Sequence, residues 1–181
     1  MQDGKDGHDP TTHAERMATV ARFIEANAEA ERRRDWTLLG EFYSEDAVYW
    51  YQTGAVETRA HGPDEICRLV LVRDQLGWFN WTFPFEGFAV NGDQAFTRWW
   101  NRGPGRRPDG SPWQVPGMSH LRFGPDGRFC EQMDLFDMGR LVQLMDEMPD
   151  ELLLPVMREK QLPVMRRLAA AAIRGPGSDA G

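Results

Sequence analysis

The sequence predicts an α+β fold, with helices first, then a run of antiparallel strands, then helices again. Three observations carry this. Residues 12–34 place Met17, Val20, Ala21, Phe23 and Ile24 at helical spacing behind Thr12 and Glu15, a capping-box pair. Residues 78–138 hold short β-rich runs broken by Asn91-Gly92-Asp93 and Gly124-Pro125-Asp126-Gly127. The stretch 139–174 returns to helical composition.

Taken in order, residues 1–11 carry almost nothing apolar and are expected to be a disordered leader. The first helix ends in the charged run Glu29, Glu31, Arg32, Arg33 and Arg34, a solvated end. Asp35 caps a short second helix over 36–43, and 46–51, rich in β-formers, reads as a strand. Gly62-Pro63-Asp64-Glu65 opens a helix with Pro in its first turn; Ile66, Leu69, Val70, Arg73 and Leu76 carry it to about 77. Strands are expected over 78–85, 88–90, 95–101, 111–123 and 128–138, with a long loop at 103–110. In the tail, Leu-Pro-Val-Met-Arg occurs at 154–158 and again at 162–166, so short helices with prolines at their starts are expected. Met145, Met148, Met157 and Met165 give this tail a soft apolar surface, suited to core or dimer packing or to a cavity lid. The organisation is one domain over 12–148, a helical extension over 149–174 and a frayed end at 175–181.

At 181 residues such a domain buries a sizeable core. The net charge of −7 argues against nucleic acid and anionic membrane as partners, and no apolar run approaches the roughly 20 residues of a membrane span. The chain opens without a signal-peptide pattern, and Cys67 and Cys130 have neither disulfide-scaffold density nor metal-ligand spacing. A reduced, cytoplasmic setting follows as the expectation. Four scattered histidines make no metal site, and 103–110 lacks the strand–loop–helix setting of a phosphate loop, so neither metal nor cofactor is expected. Seven Trp and ten Phe against three Tyr point to a bulky core or an aromatic-lined cavity.

One carboxylate stands out. Side chains alternate along a strand, so Cys130, Gln132, Asp134 and Phe136 share a face. Pairing the hairpin about its turn puts Ser119 and Leu121 on that face, while His120 points away, near Glu131. Tyr49 and Tyr51 form a second inward row. If this face lines an interior, Asp134 is a desolvated acid suited to proton transfer. The alternative is a solvated face or a simple ion pair with an arginine.

The order of elements, with Asp35-Trp36-Thr37-Leu38-Leu39-Gly40-Glu41-Phe42-Tyr43-Ser44-Glu45-Asp46-Ala47-Val48-Tyr49, then Gly62-Pro63-Asp64-Glu65-Ile66, then Gly127-Arg128-Phe129 leading to Asp134-Leu135-Phe136-Asp137, resembles the nuclear transport factor 2-like (SnoaL-like) superfamily. The similarity spans roughly 13–148. It implies a cone: a curved antiparallel sheet wrapped around the N-terminal helices, with an apolar cavity open at one end. The superfamily includes isomerases, cyclases, dehydratases, epoxide hydrolases and binders, so the fold alone does not fix the activity. Position by position, the base of ketosteroid isomerase falls on Tyr51 and its oxyanion donors near Asn27 and on Ser119, none retained. The limonene-epoxide hydrolase set matches at Arg98 and Asp134, but its second Asp falls on Trp100. A dehydratase tyrosine matches Tyr51, and the acid/base Asp of the cyclase SnoaL matches Asp134.

The resemblance and the pattern together imply cofactor-independent acid–base chemistry, an isomerase or lyase acting on an apolar cyclic or aromatic molecule. Asp134, Tyr51 and Arg98 are the expected catalytic groups. Asn27, Tyr49, Trp50, Trp81, Trp100, Ser119, Leu121, Gln132 and Phe136 are expected to line the substrate. A homodimer through the sheet is expected. The alternatives are a non-catalytic binder of hydrophobic metabolites and an epoxide hydrolase with an altered water-activating set.

Overall fold

A computed structural model describes residues 12–53, 56–71 and 76–174; the expected leader and frayed end, and Arg73, lie outside the described residues. Helix α1 (His13–Arg33) begins as its sequence dictates. The Thr12 side chain accepts from the Glu15 amide at 3.2 Å, and the Glu15 carboxylate accepts from the Thr12 amide at 2.7 Å. Its buried side presents Val20, Phe23 and Ala30. The helix stops at Arg34, whose φ of 58° is left-handed. Asp35 caps the 3₁₀ helix Trp36–Phe42 by accepting from the Thr37 amide at 3.1 Å.

Six strands follow: β1 (Tyr43–Thr53), β2 (Val56–His61), β3 (Phe85–Asn91), β4 (Gln94–Arg106), β5 (Pro112–Phe123) and β6 (Phe129–Phe136). They form one open sheet in the order β2-β1-β6-β5-β4-β3. The expectation of a purely antiparallel sheet is corrected at one joint, because β1 and β6 run parallel. No hairpin links these two strands; the whole β2–β5 region lies between them, and a long crossover permits a parallel pair. Register shifts interrupt the β1–β6, β3–β4, β4–β5 and β5–β6 ladders. Such bulges bend strands and sharpen their twist, as a sheet that folds around a helix requires.

Several boundaries differ from expectation. Helix α2 (Gly62–Glu65) starts at the expected Gly-Pro, but widens into a π-turn at Ile66–Val70 and ends at Leu71 instead of reaching 77. Residues 78–84 are no strand. After a 3₁₀ turn at Leu76–Trp78 they touch the sheet through the Thr82–Arg102 bridge and the Trp100 amide, which donates to the Pro84 carbonyl at 3.1 Å. The aromatics here insert into packed interior instead of alternating across a pleat: Trp81 is fully buried among the C-terminal helices, and Phe83 packs against both apolar clusters. Nor is 103–110 all loop, since β4 runs to Arg106. Gly103 serves close approach, because a Cβ there would lie 2.9 Å from the Met148 methyl.

Two apolar clusters result. The first joins α1, the 3₁₀ helix and the sheet around Phe23, Tyr43, Leu121 and Phe129. The second seats the C-terminal segment, α3 (Met138–Glu147) and α4 (Leu162–Arg174), on Trp81, Trp113 and Val115. Pro155 does open a helix, but Pro163 lies inside one, directly behind the π-turn Met157–Gln161. A proline cannot donate to the carbonyl four residues back and clashes with it, and the wider turn relieves this. The turn also explains the duplicated Leu-Pro-Val-Met-Arg. In an uninterrupted α-helix positions eight apart are rotated by about 80°. One residue absorbed in the π-turn restores the phase, so Met157 (0 % exposed) and Met165 (7 %) face the same core. Among the described residues no helix is long and apolar enough to cross a membrane.

Candidate functional site

The strands set the site by alternation. Tyr51 and Ser119 both sit opposite Asp134 on its two neighbouring strands, and Tyr49 sits opposite Gln132. These residues, with Phe136, line one cavity of ≈ 380 Å³. Strand β4 adds Trp99 and Asn101, α1 adds Phe23 and Asn27, and Phe83 and Phe85 complete an aromatic wall.

Asp134 is 8 % exposed, and all its polar contacts are donors. Oδ1 accepts from the Ser119 hydroxyl at 2.6 Å and from Gln132 Nε2 at 2.9 Å; Oδ2 accepts from the Tyr49 hydroxyl in a short bond. Behind these stands a second rank. Trp99 Nε1 donates to Ser119 Oγ at 2.9 Å, and the Tyr43 hydroxyl donates to Gln132 Oε1 at 2.6 Å. Each donor's direction is therefore fixed, and all point toward the carboxylate. Burial raises the Asp134 pKa above the ordinary carboxylate value, while the Ser119, Tyr49 and Gln132 bonds pull it down; burial prevails. Among the described residues no cation forms an ion pair with it. Burial, and next the charge of Asp134, push the Tyr43 and Tyr49 phenols well above their usual range, so both stay protonated and donate. Oδ2 takes a single bond, leaving it lone-pair capacity for an incoming proton.

The structure brings together Asp134, Tyr51, Tyr49, Ser119, Gln132, Phe136 and Asn27, as the sequence led us to expect. It does not bring in the others. Arg98 and Trp100 project from the opposite face of β4, where Arg98 pairs with Glu86 at 2.8 Å and lies over the Trp100 ring. Trp50 is likewise outside, donating to Glu131 and covered by Arg59. Trp81 belongs to the second cluster, and Leu121 is buried in the first. Cys130 loses its inward place because the β5–β6 bulge shifts the phase, turning Phe129 in. Asn27 reaches the cavity with its amide committed, since Nδ2 donates to Glu31 Oε1 and to the Phe83 carbonyl. Tyr51 makes no hydrogen bond among the described residues and packs on Phe136, ring centroids 5.8 Å apart.

Trp99 and Asn101 were missed, though the signal was available: Thr97 sits opposite Ser119, so alternation turns Thr97, Trp99 and Asn101 inward and Arg98 and Trp100 outward. Asn101 Nδ2 is buried without a partner. Lys160, Gln161, Val164, Met165 and Leu168 also line the cavity, so the C-terminal segment is both core packing and cavity wall. No group of three or more His, Cys, Asp or Glu that could hold a metal occurs among the described residues.

The indole of Trp99 lies flat over Gly117, where a Cβ would come within 2.5 Å of the ring. Gly117→Ala should therefore displace Trp99 from Ser119 and cost about 1–3 kcal/mol, as overpacking does. Thermal melting and near-ultraviolet circular dichroism would register both effects. An unchanged melting point and tryptophan signal would show that the ring relaxes freely.

This cavity on this fold defines a class. The SnoaL-like domain model matches residues 20–132, and the chain belongs to that family. A SnoaL-like polyketide cyclase candidate from Shewanella denitrificans OS-217 is 24 % identical, with 76 % of this chain and 100 % of that one covered and a TM-score of 0.53. TerC, co-crystallised with polyporic acid, is 13 % identical over 74 % of this chain and 99 % of its own, with a TM-score of 0.56. An NTF2-like protein of unknown function from Mesorhizobium loti is 23 % identical over 68 % and 92 %, with a TM-score of 0.51. At these identities the likeness shows the fold. No curated protein matches the chain.

Proposed function

We propose that this protein is a cofactor-independent acid–base enzyme, an isomerase or lyase, acting on an apolar cyclic or aromatic small molecule. One observation carries the reading: a buried carboxylate with a raised pKa, held by three oriented donors and by no cation among the described residues, opens onto an aromatic cavity. In the step this supports, Asp134 takes a proton from a carbon next to a carbonyl. The C–H electrons form a C=C bond, and the carbonyl pair moves onto oxygen. Tyr51 and the unpartnered Asn101 Nδ2 are the donors available to that oxygen. The protonated Asp134 then returns its proton, to another carbon in a double-bond shift or to a leaving hydroxyl in a dehydration.

Co-crystallisation of the structural neighbour TerC with polyporic acid supports a small-molecule occupant in this fold. Epoxide hydrolysis by the arginine–aspartate set is disfavoured, because Arg98 and Trp100 lie outside the cavity. The competing reading is a binder in which Asp134 anchors a ligand by hydrogen bonds. Incubating wild type and Asp134→Asn with native-host metabolite extract separates them by mass spectrometry. The enzyme reading expects a product of equal mass, or one lighter by one water, with wild type alone. A ligand retained unchanged by both proteins would favour the binder.

We also propose a homodimer through the outer sheet face, where Phe96, Met118 and Leu135 are 42 %, 51 % and 53 % exposed. Light scattering should return twice the chain mass for wild type and a monomer for Met118→Glu/Leu135→Glu. A monomeric wild type would refute it.

A further inference from the structure

The C-terminal segment lies beyond the matched family region, yet it supplies one wall of the cavity. That wall carries an ammonium group. Lys160 is exposed and at the same time lines the cavity, which places it at the mouth. The chain holds only two lysines, Lys5 and Lys160, its other cations being arginines. Arg158 pairs with Asp150 and Glu159 and Arg166 with Asp146, while Arg167, exposed and in no ion pair among the described residues, does not line the cavity. Lys160 makes no ion pair among the described residues, and its neighbour Glu159 already contacts Arg158.

A second observation points the same way. Asn101, 4 % exposed, lines the cavity with Nδ2 buried and unpartnered. A buried donor left without an acceptor costs about 1–3 kcal/mol, so an oxygen-bearing ligand would relieve it. Asn101 sits opposite Val115, a member of the second cluster on which the C-terminal helices pack. Two other polar groups of the lining, the buried and unpartnered acceptor Gln161 Oε1 and the Asp134 carboxylate, disfavour an anion in the interior, so the interior takes a neutral part of the ligand.

We infer that the cavity selects aromatic or alicyclic molecules bearing an anionic oxygen group such as a carboxylate, met by Lys160 at the mouth while the apolar body fills the interior. This rests on the small-molecule reading above and names its substrate class. A chain of net charge −7 disfavours anions in general, so a local cation at the entrance is what admits one. A lysine suits the entrance better than an arginine would. Its compact charge on a flexible stem can follow a ligand in, where a guanidinium would be drawn into a carboxylate pair.

Two fluorescent probes sharing a ring system test it: the anionic 8-anilinonaphthalene-1-sulfonate and its neutral counterpart N-phenyl-1-naphthylamine. Lys160→Gln should weaken sulfonate binding about three- to ten-fold, leave the neutral probe within two-fold, and abolish the weakening of sulfonate binding by added salt. Lys160→Arg should restore part of the loss. Equal effects on both probes, or none on the sulfonate, would overturn the inference. So would a sulfonate that the neutral probe fails to displace, since it would then bind outside the cavity. Asp134→Asn keeps the two claims separable: it should bind the sulfonate at least as tightly as wild type, whatever it does to turnover.

Discussion

Asp134→Asn should lower turnover about 10²- to 10⁴-fold, the contribution of a positioned proton-transfer group, while ligand affinity survives. The substitution is mild on structural grounds. The amide oxygen can still accept from Ser119 and Gln132, and the amide nitrogen can donate to the Tyr49 oxygen in place of Oδ2. The same variant gives a stability signature. Because burial raises the folded-state pKa above the unfolded value, the native state binds the extra proton between the two. The Asp134 contribution to stability is therefore favourable at low pH and falls as pH rises from about 4 through the folded value. Asn removes this fall. The stability difference between Asn variant and wild type, from denaturant melts, should stay flat below pH 4 and then grow in favour of Asn. Full turnover in the variant would exclude Asp134 as the proton-transfer group, and a pH-independent difference would show that burial does not dominate its titration.

The largest stability loss is expected from Phe129→Ala, about 3–5 kcal/mol. Phe129 is 0 % exposed and meets Phe23, Tyr43 and Phe123 with ring centroids 5.1–5.9 Å apart. It sits where α1, the start of β1 and the β5–β6 bulge converge, so the void cannot be closed by one element moving. Tyr43 would lose its edge-on partner, and through Gln132 the disturbance would reach Asp134. Urea unfolding monitored by tryptophan fluorescence measures the loss. A change below 1 kcal/mol would mean the aromatic cluster repacks.

The parts of this molecule that were legible in its sequence are those governed by short-range rules. Thr12 and Glu15 announced α1, Asp35 the 3₁₀ helix, and Gly124 to Gly127 the hairpin that sets Ser119 against Asp134. Period-two alternation was enough to put Gln132, Asp134 and Phe136 on one face. What escaped depended on longer-range geometry. The bulge that turns Cys130 away has no local signature, and residues 78–85 look β-forming until their two separate burial sites are known. Arg98 and Trp100 were misplaced for another reason: positions carried over from distant enzymes outweighed the alternation that Ser119 itself imposed on β4. Lys160 was invisible because nothing in a sequence says where a terminal helix will fold back.

The π-turn at Met157–Gln161 bears on how such a cavity could be reshaped over generations. Which side chains α4 shows the cavity depends on its rotation about its own axis, and each residue inserted or deleted upstream turns it by about 100°. A single-codon deletion just past the π-turn, ahead of Val164, would swing Val164 and Leu168 away from the cavity and bring a different set of side chains round, whereas one inside the π-turn would only turn it into an ordinary α-turn; either way the sheet and Asp134 stay untouched. On the proposed function, ligand preference and proton chemistry are thus encoded in separate stretches of gene. A lineage could exchange one without relearning the other.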